Sequence, residues 1–389
     1  MSQPAAVPAA RWLSRPERLV LVLWLATRVA VALVAWAVHA LGWNAHQQPT
    51  SLLARFAHWD GALFLHVAQY GYLDSAHEAQ PYVSHAFFPG YPLAIRLVHA
   101  LLPGFGLDGP ARWTLAALLV SLVAGGVAVV ALHRLVELYR PGAGPRAVLA
   151  LLFFPAAFFL GVAYSEALFL ALALPAWLAA RHRRWWWAGL LAAGASTVRI
   201  SGLFLALALT VEFLTVSGGL PRSRSEVRAL WRRAPALLLG FLPVLAYFGY
   251  LYARTGDWLA WRHVQSLAWH RESAAPWVPL WKAVGDIARG DLTAALELGS
   301  VLVGVVGTGW LLRRGRWSEA VWVGLPVLAL ASCDTYVSVP RAALLWWPLF
   351  AGLAVWSRRH RWLLPGYLAV SAPAMSVLAG SFFAWYWAG

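Results

Sequence analysis

The sequence predicts an all-α polytopic membrane protein of about eleven transmembrane helices, with interfacial helices in its first outer loop. Three observations carry this. Of the 389 residues, 61% are hydrophobic and 12% are charged, about half the charged share of an ordinary soluble domain. Long uncharged runs recur from one end of the chain to the other, as in a helical bundle built in lipid. The basic residues sit in short clusters between those runs, where positive charge fixes orientation. No soluble stretch is long enough to bury a core of its own, so residues 1–389 read as one integrated domain.

The net charge is +15, from 31 basic and 16 acidic residues, and Lys282 is the only lysine. A basic surplus can indicate nucleic acid, but its confinement to inter-helix clusters assigns it to topology instead. Cys333 is the single cysteine, which excludes an intrachain disulfide. No Cys/His pattern of zinc spacing is present. Arg11, Arg15 and Arg18 precede an apolar run, as in a signal peptide, but that run is about 20 residues long and carries Arg28. Those features suit a retained helix better.

The clusters at 11–18, 134–146, 181–184, 221–233, 313–316 and 358–361 define one face if all are cytoplasmic. Helix 18–40 then runs outward, 41–111 is an outer loop, and 112–138 returns. The piece "AFFPGYPLAIRLVHALLP" inside that loop has three prolines, Arg96 and His99, and reads as interfacial. Segments 147–163 and 164–180 form the next pair, followed by 185–199 and 201–217. The latter two are short for a core of ~30 Å at ~1.5 Å per residue. Helix 235–253 goes out, 254–292 is a second outer loop, and 293–312 returns. Helices 317–332, 342–357 and 362–387 complete the count, with the N-terminus inside and the C-terminus outside.

This topology uses arginine clusters alone, yet it collects the other polar residues on the outer face. Asp60, Ser165, Glu166, Arg199, Asp257, His263, Gln265, Asp334 and Arg341 all fall there. The outer face is therefore the candidate site, and the inner face reads as purely topogenic.

Asp60 lies in "RFAHWDGALFLHVAQYGY". Partial desolvation in an aromatic interfacial segment raises carboxylate basicity and suits a general base. The competing reading is a cap for the helix that follows. Glu166, in "YSEALF", is either a favourable first-turn acid or a polar wall of the site. Arg199, in "STVRISG", demands a partner, either Glu166 or an anionic lipid phosphate. Arg341, in "SVPRAALLWWP", is either a snorkelling residue or an anion contact; an outer arginine runs against the positive-inside bias. In "TGDWLAWRHVQSLAWHRE", Trp258, Trp261 and Trp269 read as interfacial anchors, and Asp257, His263 and Gln265 as substrate contacts. Arg28, midway along the first helix, reads as paired within the bundle.

No P-loop, GxSxG, HExxH or dinucleotide fingerprint is present. A chain without a nucleotide-binding domain points to a substrate that arrives already activated.

In order, "HWDGALFLHVAQYGY", "HAFFPGYPLAIRL", "FFPAAFFLGVAYSEALFLAL", "RWWWAGLLAAGASTVRISGLFL", "GDWLAWRHVQSLAW" and "SVPRAALLWWPLFAGLA" resemble the PIG-V-type mannosyltransferases of the GT-C glycosyltransferase superfamily, which include GPI mannosyltransferase 2 and bacterial relatives. The resemblance spans roughly residues 15–357. It implies a GT-C bundle whose first outer loop carries the catalytic acid, and a polyprenyl-phosphate (dolichyl-phosphate-type) mannose donor used on the extracytoplasmic face of the plasma membrane. It places the family's catalytic aspartate on Asp60 and the donor-phosphate arginines on Arg341 and Arg199. Trp59, Tyr164, Glu166, Asp257, His263 and Gln265 become substrate-binding candidates. Ala342 stands where the family often has tyrosine, and Gly61 where a larger residue is common. No cofactor or metal is expected. The acceptor stays open among glycan, glycolipid and protein. The alternatives are a GT-C transferase with another lipid-linked sugar or a protein acceptor, and a membrane transporter or scramblase. A transporter would carry midplane charges and repeat symmetry.

Overall fold

The computed structural model describes residues 13–44, 51–72, 83–103, 109–216, 232–269 and 271–387. Most of the basic cluster at 221–233 lies outside them. The helices are α1 (Arg15–Ala40), α2 (Asp60–Tyr70), α3 (Gly90–Leu101), α4 (Gly109–Tyr139), α5 (Gly144–Leu152), α6 (Glu166–Arg181), α7 (Trp185–Val198) and α8 (Ser201–Val216). They continue as α9 (Pro235–Leu238), α10 (Leu242–Thr255), α11 (Ala260–Trp269), α12 (Trp277–Ala288), α13 (Leu292–Arg313), α14 (Trp317–Ala331), α15 (Val339–Ala343), α16 (Trp347–Trp356) and α17 (Leu363–Phe383). The protein is an all-α bundle.

Local chemistry explains the long helices. Ser14 opens α1 with a capping box completed by Glu17, which satisfies two otherwise orphaned donors. Asp291 opens α13 by accepting from Thr293 and Ala294 N–H. The α1–α4 contact is close because Gly125 leaves room for the Trp24 ring, whose Nε1–H donates to the Leu122 carbonyl at 3.0 Å.

Among the described residues, five spans are long and apolar enough to cross a membrane: Arg15–Ala40, Gly109–Tyr139, Pro235–Thr255, Leu292–Arg313 and Leu363–Phe383. Helices α8, α14 and α16 are apolar but shorter, so the full-length spans among the described residues are fewer than the eleven helices expected. Two expected spans are broken. Segment 147–163 is α-helical only to Leu152; a short 3-10 helix at Ala157–Gly161 and irregular backbone on either side of it then lead to Glu166. Pro155 has no N–H to donate and disfavours helix at Phe154. Segment 342–357 breaks between α15 and α16, where Pro348 restarts the helix in its first turn. Helices α7 and α8 have 14 and 16 residues, about 21 and 24 Å. The α3 helix, at 12 residues, is too short to span, as its prolines suggest.

The irregular stretch matters for the site. Irregular backbone at such a place must be satisfied inside the protein. Ala163 N–H donates to the Phe56 carbonyl at 2.9 Å, and Ser121 Oγ–H donates to the Val162 carbonyl at 2.9 Å. The stretch thereby pins the connection between α1 and α2 against the start of α6. The α6 helix packs on α4 and α7, while α8 and α13 both pack on α14. One apolar cluster running from Val20 to Ala384 fills the space between.

Candidate active site

At the N-terminal end of α6, two carboxylates and two arginines from four separate segments meet. Arg341 Nη1 donates to Asp60 Oδ2 at 2.7 Å, and Arg341 Nε lies 3.2 Å from Glu166 Oε1. Arg199 Nη1 donates to the same Glu166 oxygen at 2.6 Å and to Ser165 Oγ at 2.8 Å. The Glu166 side chain is fully buried, so these contacts are made out of water, where unpaired charge is most costly.

Each side chain is positioned by its element. Asp60 is the first residue of α2, and the helix is not capped by its carboxylate: Trp59 is the N-cap, with no side-chain hydrogen bond. The Asp60 carboxylate turns instead to Arg341. Trp59 itself has φ 54° and ψ −129°, a conformation that costs a bulky residue on the order of 1–3 kcal/mol. Its ring is held edge-on to Trp387 at 5.6 Å. Gly61 comes within 3.2 Å of the Ala163 carbonyl, measured from where a Cβ would stand, and 3.3 Å from the Tyr164 ring. That contact accounts for the absence of a larger residue there.

The preceding residue, His58, is stacked between Phe382 at 4.1 Å and Trp385 at 4.6 Å. Its Nε2–H donates to the Phe382 carbonyl at 2.7 Å. Burial pushes its pKa down to about 4, so it is a neutral, wedged ring. Arg199 sits at the break between α7 and α8 with extended backbone.

The Arg341 side chain is only 11% exposed and does not snorkel. It faces the rings of Phe159 at 5.6 Å, Tyr164 at 5.4 Å and Trp387 at 5.9 Å. Its turn begins at Ser338, whose φ of 63° is left-handed. The Glu297 carboxylate holds that turn by accepting the Ser338 and Val339 N–H groups, both at 2.8 Å.

These residues border a cavity of about 140 Å³, lined by Asp60, Tyr164, Ser165, Arg199, Gln265 and Arg341, with Arg271 and the rings of Phe64, Phe87, Trp261 and Trp269. Asp60 Oδ1 accepts no hydrogen bond from a described residue. A second cavity of about 530 Å³ adjoins it across Trp269; Glu297, Asp334 and Trp387 are among its walls. Of the sequence candidates, Asp60, Tyr164, Arg199, Gln265 and Arg341 share the smaller cavity, and Glu166 lies directly behind it. Trp59 stands beside it, 37% exposed.

Asp257 and His263 lie apart, as an exposed pair 2.6 Å from one another. Asp257 also accepts the Leu259 N–H at 2.8 Å; that bond first, and His263 second, lower its pKa. Arg28 is paired within the bundle, but to a carbonyl and a ring rather than an acid. Its Nη1 donates to Ala157 O at 3.1 Å, and it lies 4.3 Å from the Trp24 ring.

Sequence reasoning passed over Arg271, Glu297 and Trp387. Arg271 had a readable signal, since the arginine-cluster topology assigns it, like Arg341, to an outer segment where an arginine runs against the positive-inside bias. Glu297, within a long apolar helix, had a weaker one. The described residues contain no group of three His, Cys, Asp or Glu side chains able to hold a metal ion.

The opposite end of α6 carries a second charge cluster. Arg181 bridges Glu212 at 3.0 Å and Glu319 at 2.7 Å. Glu319 also takes Arg316 and the Tyr139 hydroxyl, and Ser318 Oγ–H donates to Glu212 at 2.6 Å. Two of the arginines read as purely topogenic thus form part of the internal structure.

The chain matches the sequence profile of the family described as mannosyltransferase (PIG-V) over residues 19–254. That span holds Asp60, Glu166 and Arg199 and stops before Arg271 and Arg341. It is 37% identical over 164 residues to GPI alpha-1,6-mannosyltransferase 2 of Mus musculus, covering 41% of this chain and 32% of that protein. It is 38% identical over 162 residues to the Homo sapiens protein of the same name, covering 39% and 30%. The match therefore spans about a third of the length of these relatives. Among solved structures, ArnT from Cupriavidus metallidurans bound to undecaprenyl phosphate aligns with TM-score 0.47 and 16% identity, over 93% of this chain and 76% of that one. With more than half of its residues matching the family profile, the chain belongs to the PIG-V mannosyltransferase family.

Proposed function

We propose that the protein is an inverting mannosyltransferase of the GT-C type, resident in the plasma membrane. It moves mannose from a polyprenyl-phosphate donor to an acceptor hydroxyl on the extracytoplasmic face. The observation that carries this reading is Asp60. It is a buried carboxylate with one oxygen fixed by Arg341 and the other without a hydrogen bond from a described residue, on a cavity whose remaining charged lining is cationic.

Asp60 Oδ1 takes the proton of the acceptor hydroxyl as that oxygen attacks the anomeric carbon. The bond between that carbon and the donor phosphate breaks, and its electron pair leaves on the phosphate oxygen. The transition state is oxocarbenium-like, and one displacement turns a β-linked donor into an α-mannoside. The arginine wall stabilises the charge gathering on the departing polyprenyl phosphate. Grooves between apolar helices accommodate the prenyl tail. The acceptor is a glycan, glycolipid or protein hydroxyl.

The test is transfer of radiolabelled mannose by the purified protein, offered polyprenyl-phosphate mannose and, separately, other polyprenyl-phosphate sugars. Transfer from the mannose donor is expected, and Asp60→Asn should lower its rate by roughly 10²–10⁴-fold. Unchanged transfer by Asp60→Asn would remove Asp60 as base. Preference for another sugar would overturn the mannose assignment.

A further inference from the structure

The three arginines on the small cavity differ in what neutralises them. Arg341 is paired with Asp60 and Glu166, and Arg199 with Glu166. Arg271 forms no ion pair with a described residue. Its Nη1 donates to Gln265 Oε1 at 3.2 Å and its Nη2 to the Val337 carbonyl at 3.1 Å, both neutral acceptors. A guanidinium has five N–H donors, so Arg271 keeps donors for something else.

The position of Arg271 is built rather than accidental. Asp334 N–H donates to the Glu272 carbonyl and Ala274 N–H to the Ser332 carbonyl, each at 2.9 Å. Residues 271–274 are thereby strapped to the segment leading into α15. The Val337 bond ties Arg271 to the same turn that presents Arg341. Burial first, and the nearby Arg341 second, pull the Arg271 pKa down.

A phosphate directed at Arg341 or Arg199 meets carboxylates already in place. It would have to displace Asp60 or Glu166, or sit as a second anion beside them, and like charges at that range repel. Asp60 and Glu297 act on Arg271 only through space, so a phosphate there has no ion pair with a described residue to displace. We infer that Arg271 is the landing site for the donor's phosphate, while Arg341 and Arg199 act as positioning residues that fix Asp60 and Glu166. The inference rests on the donor reading above and deepens it, dividing the arginine wall into one ligand contact and two internal braces.

The test uses the full-length protein in detergent, with polyprenyl-phosphate mannose as donor and undecaprenyl phosphate as product-like inhibitor. Arg271→Gln should raise donor KM and the inhibition constant of undecaprenyl phosphate by roughly 10- to 100-fold, the scale of a charged hydrogen bond. Acceptor KM should hold, and Arg271→Lys should fall between. An inhibition constant within twofold of wild type in Arg271→Gln overturns the inference.

A second measurement needs no variant. Wild-type protein is treated with an arginine-selective dicarbonyl reagent and mapped by mass spectrometry, with undecaprenyl phosphate, with undecaprenol, or with neither. Protection of Arg271 by the phosphate and not by the alcohol is expected. Protection confined to Arg199 or Arg341, or absent, overturns the assignment. If the wild type neither transfers mannose from the lipid donor nor is inhibited by the phosphate, the donor reading itself fails first.

Discussion

The two ends of α6 carry charge clusters of similar make-up and different completeness. At the C-terminal end, two arginines meet two glutamates, and a tyrosine and a serine hydroxyl take up further carboxylate lone pairs. At the N-terminal end, Arg199, Arg271 and Arg341 face Asp60 and Glu166, the second oxygen of each carboxylate accepts no hydrogen bond from a described residue, and a cavity opens between them. The first cluster has its charges cancelled, although Arg181 Nε and Arg316 Nη2 are buried without a hydrogen bond to a described residue. The second retains a positive charge and an open acceptor, which is the condition of a site that takes up an anion and a proton. Burial and ion pairing are common to both, so neither distinguishes a functional cluster; the unbalanced charge and the cavity do.

Substitutions at the two ends should therefore break different properties. Glu319→Gln leaves Arg181 and Arg316 with one buried carboxylate, Glu212, and is expected to cost about 3–5 kcal/mol. Thermal unfolding in detergent measures that loss, and the rate of transfer per folded molecule should stay at the wild-type value. Asp60→Asn should behave in the opposite way, losing transfer far more than stability, because the cavity beside Arg341 admits water to the donors left uncompensated. Equal loss of stability in both variants would erase the distinction.

A smaller effect is expected at Glu297→Gln, which weakens the carboxylate that holds the Ser338 turn. Loss of one charge-assisted bond amounts to about 1–2 kcal/mol. The expected signature is a several-fold drop in kcat, since the turn presents Arg341 to Asp60, with a smaller rise in donor KM, since Val337 of the same turn holds Arg271. An unchanged kcat would reduce Glu297 to a structural tie.

The mildest effect concerns pH. Folded His58 titrates near 4 against an ordinary value of 6.5. In that window the unfolded chain binds more protons, so this group's contribution to stability falls as pH drops from about 6.5 towards 4 and levels off below. His58→Phe should flatten that part of a melting-temperature profile; a profile of unchanged slope would show that His58 does not set it.

The sequence made the bundle legible where apolar runs were long and ended in caps or charges, as in α1, α4 and α13. It failed at Pro155 and near Pro348, where an apolar run continues through a residue that cannot continue a helix. Hydropathy does not register that. The meeting of Asp60, Glu166, Arg199 and Arg341 on one face followed from charge topology, because a topological constraint acts over the whole chain. Which of them touch did not follow. Pairing across 281 positions, as between Asp60 and Arg341, depends on how helices cross. Arg271 and Glu297 escaped because their importance is relational: one lacks a counter-ion that its neighbours have, and the other supports a turn whose strain is visible only in backbone angles.

Glu166 has one further consequence. A single carboxylate oxygen serves two guanidinium groups from distant parts of the chain. Arg199 and Arg341 are thus thermodynamically coupled through a common counter-ion. Removing either one leaves the other with a larger share of that negative charge, so energies measured for the two singly will not sum to the energy of the double change. The α7–α8 hairpin and the α15 turn, which carry these arginines, share one electrostatic ledger and will drift together through sequence change.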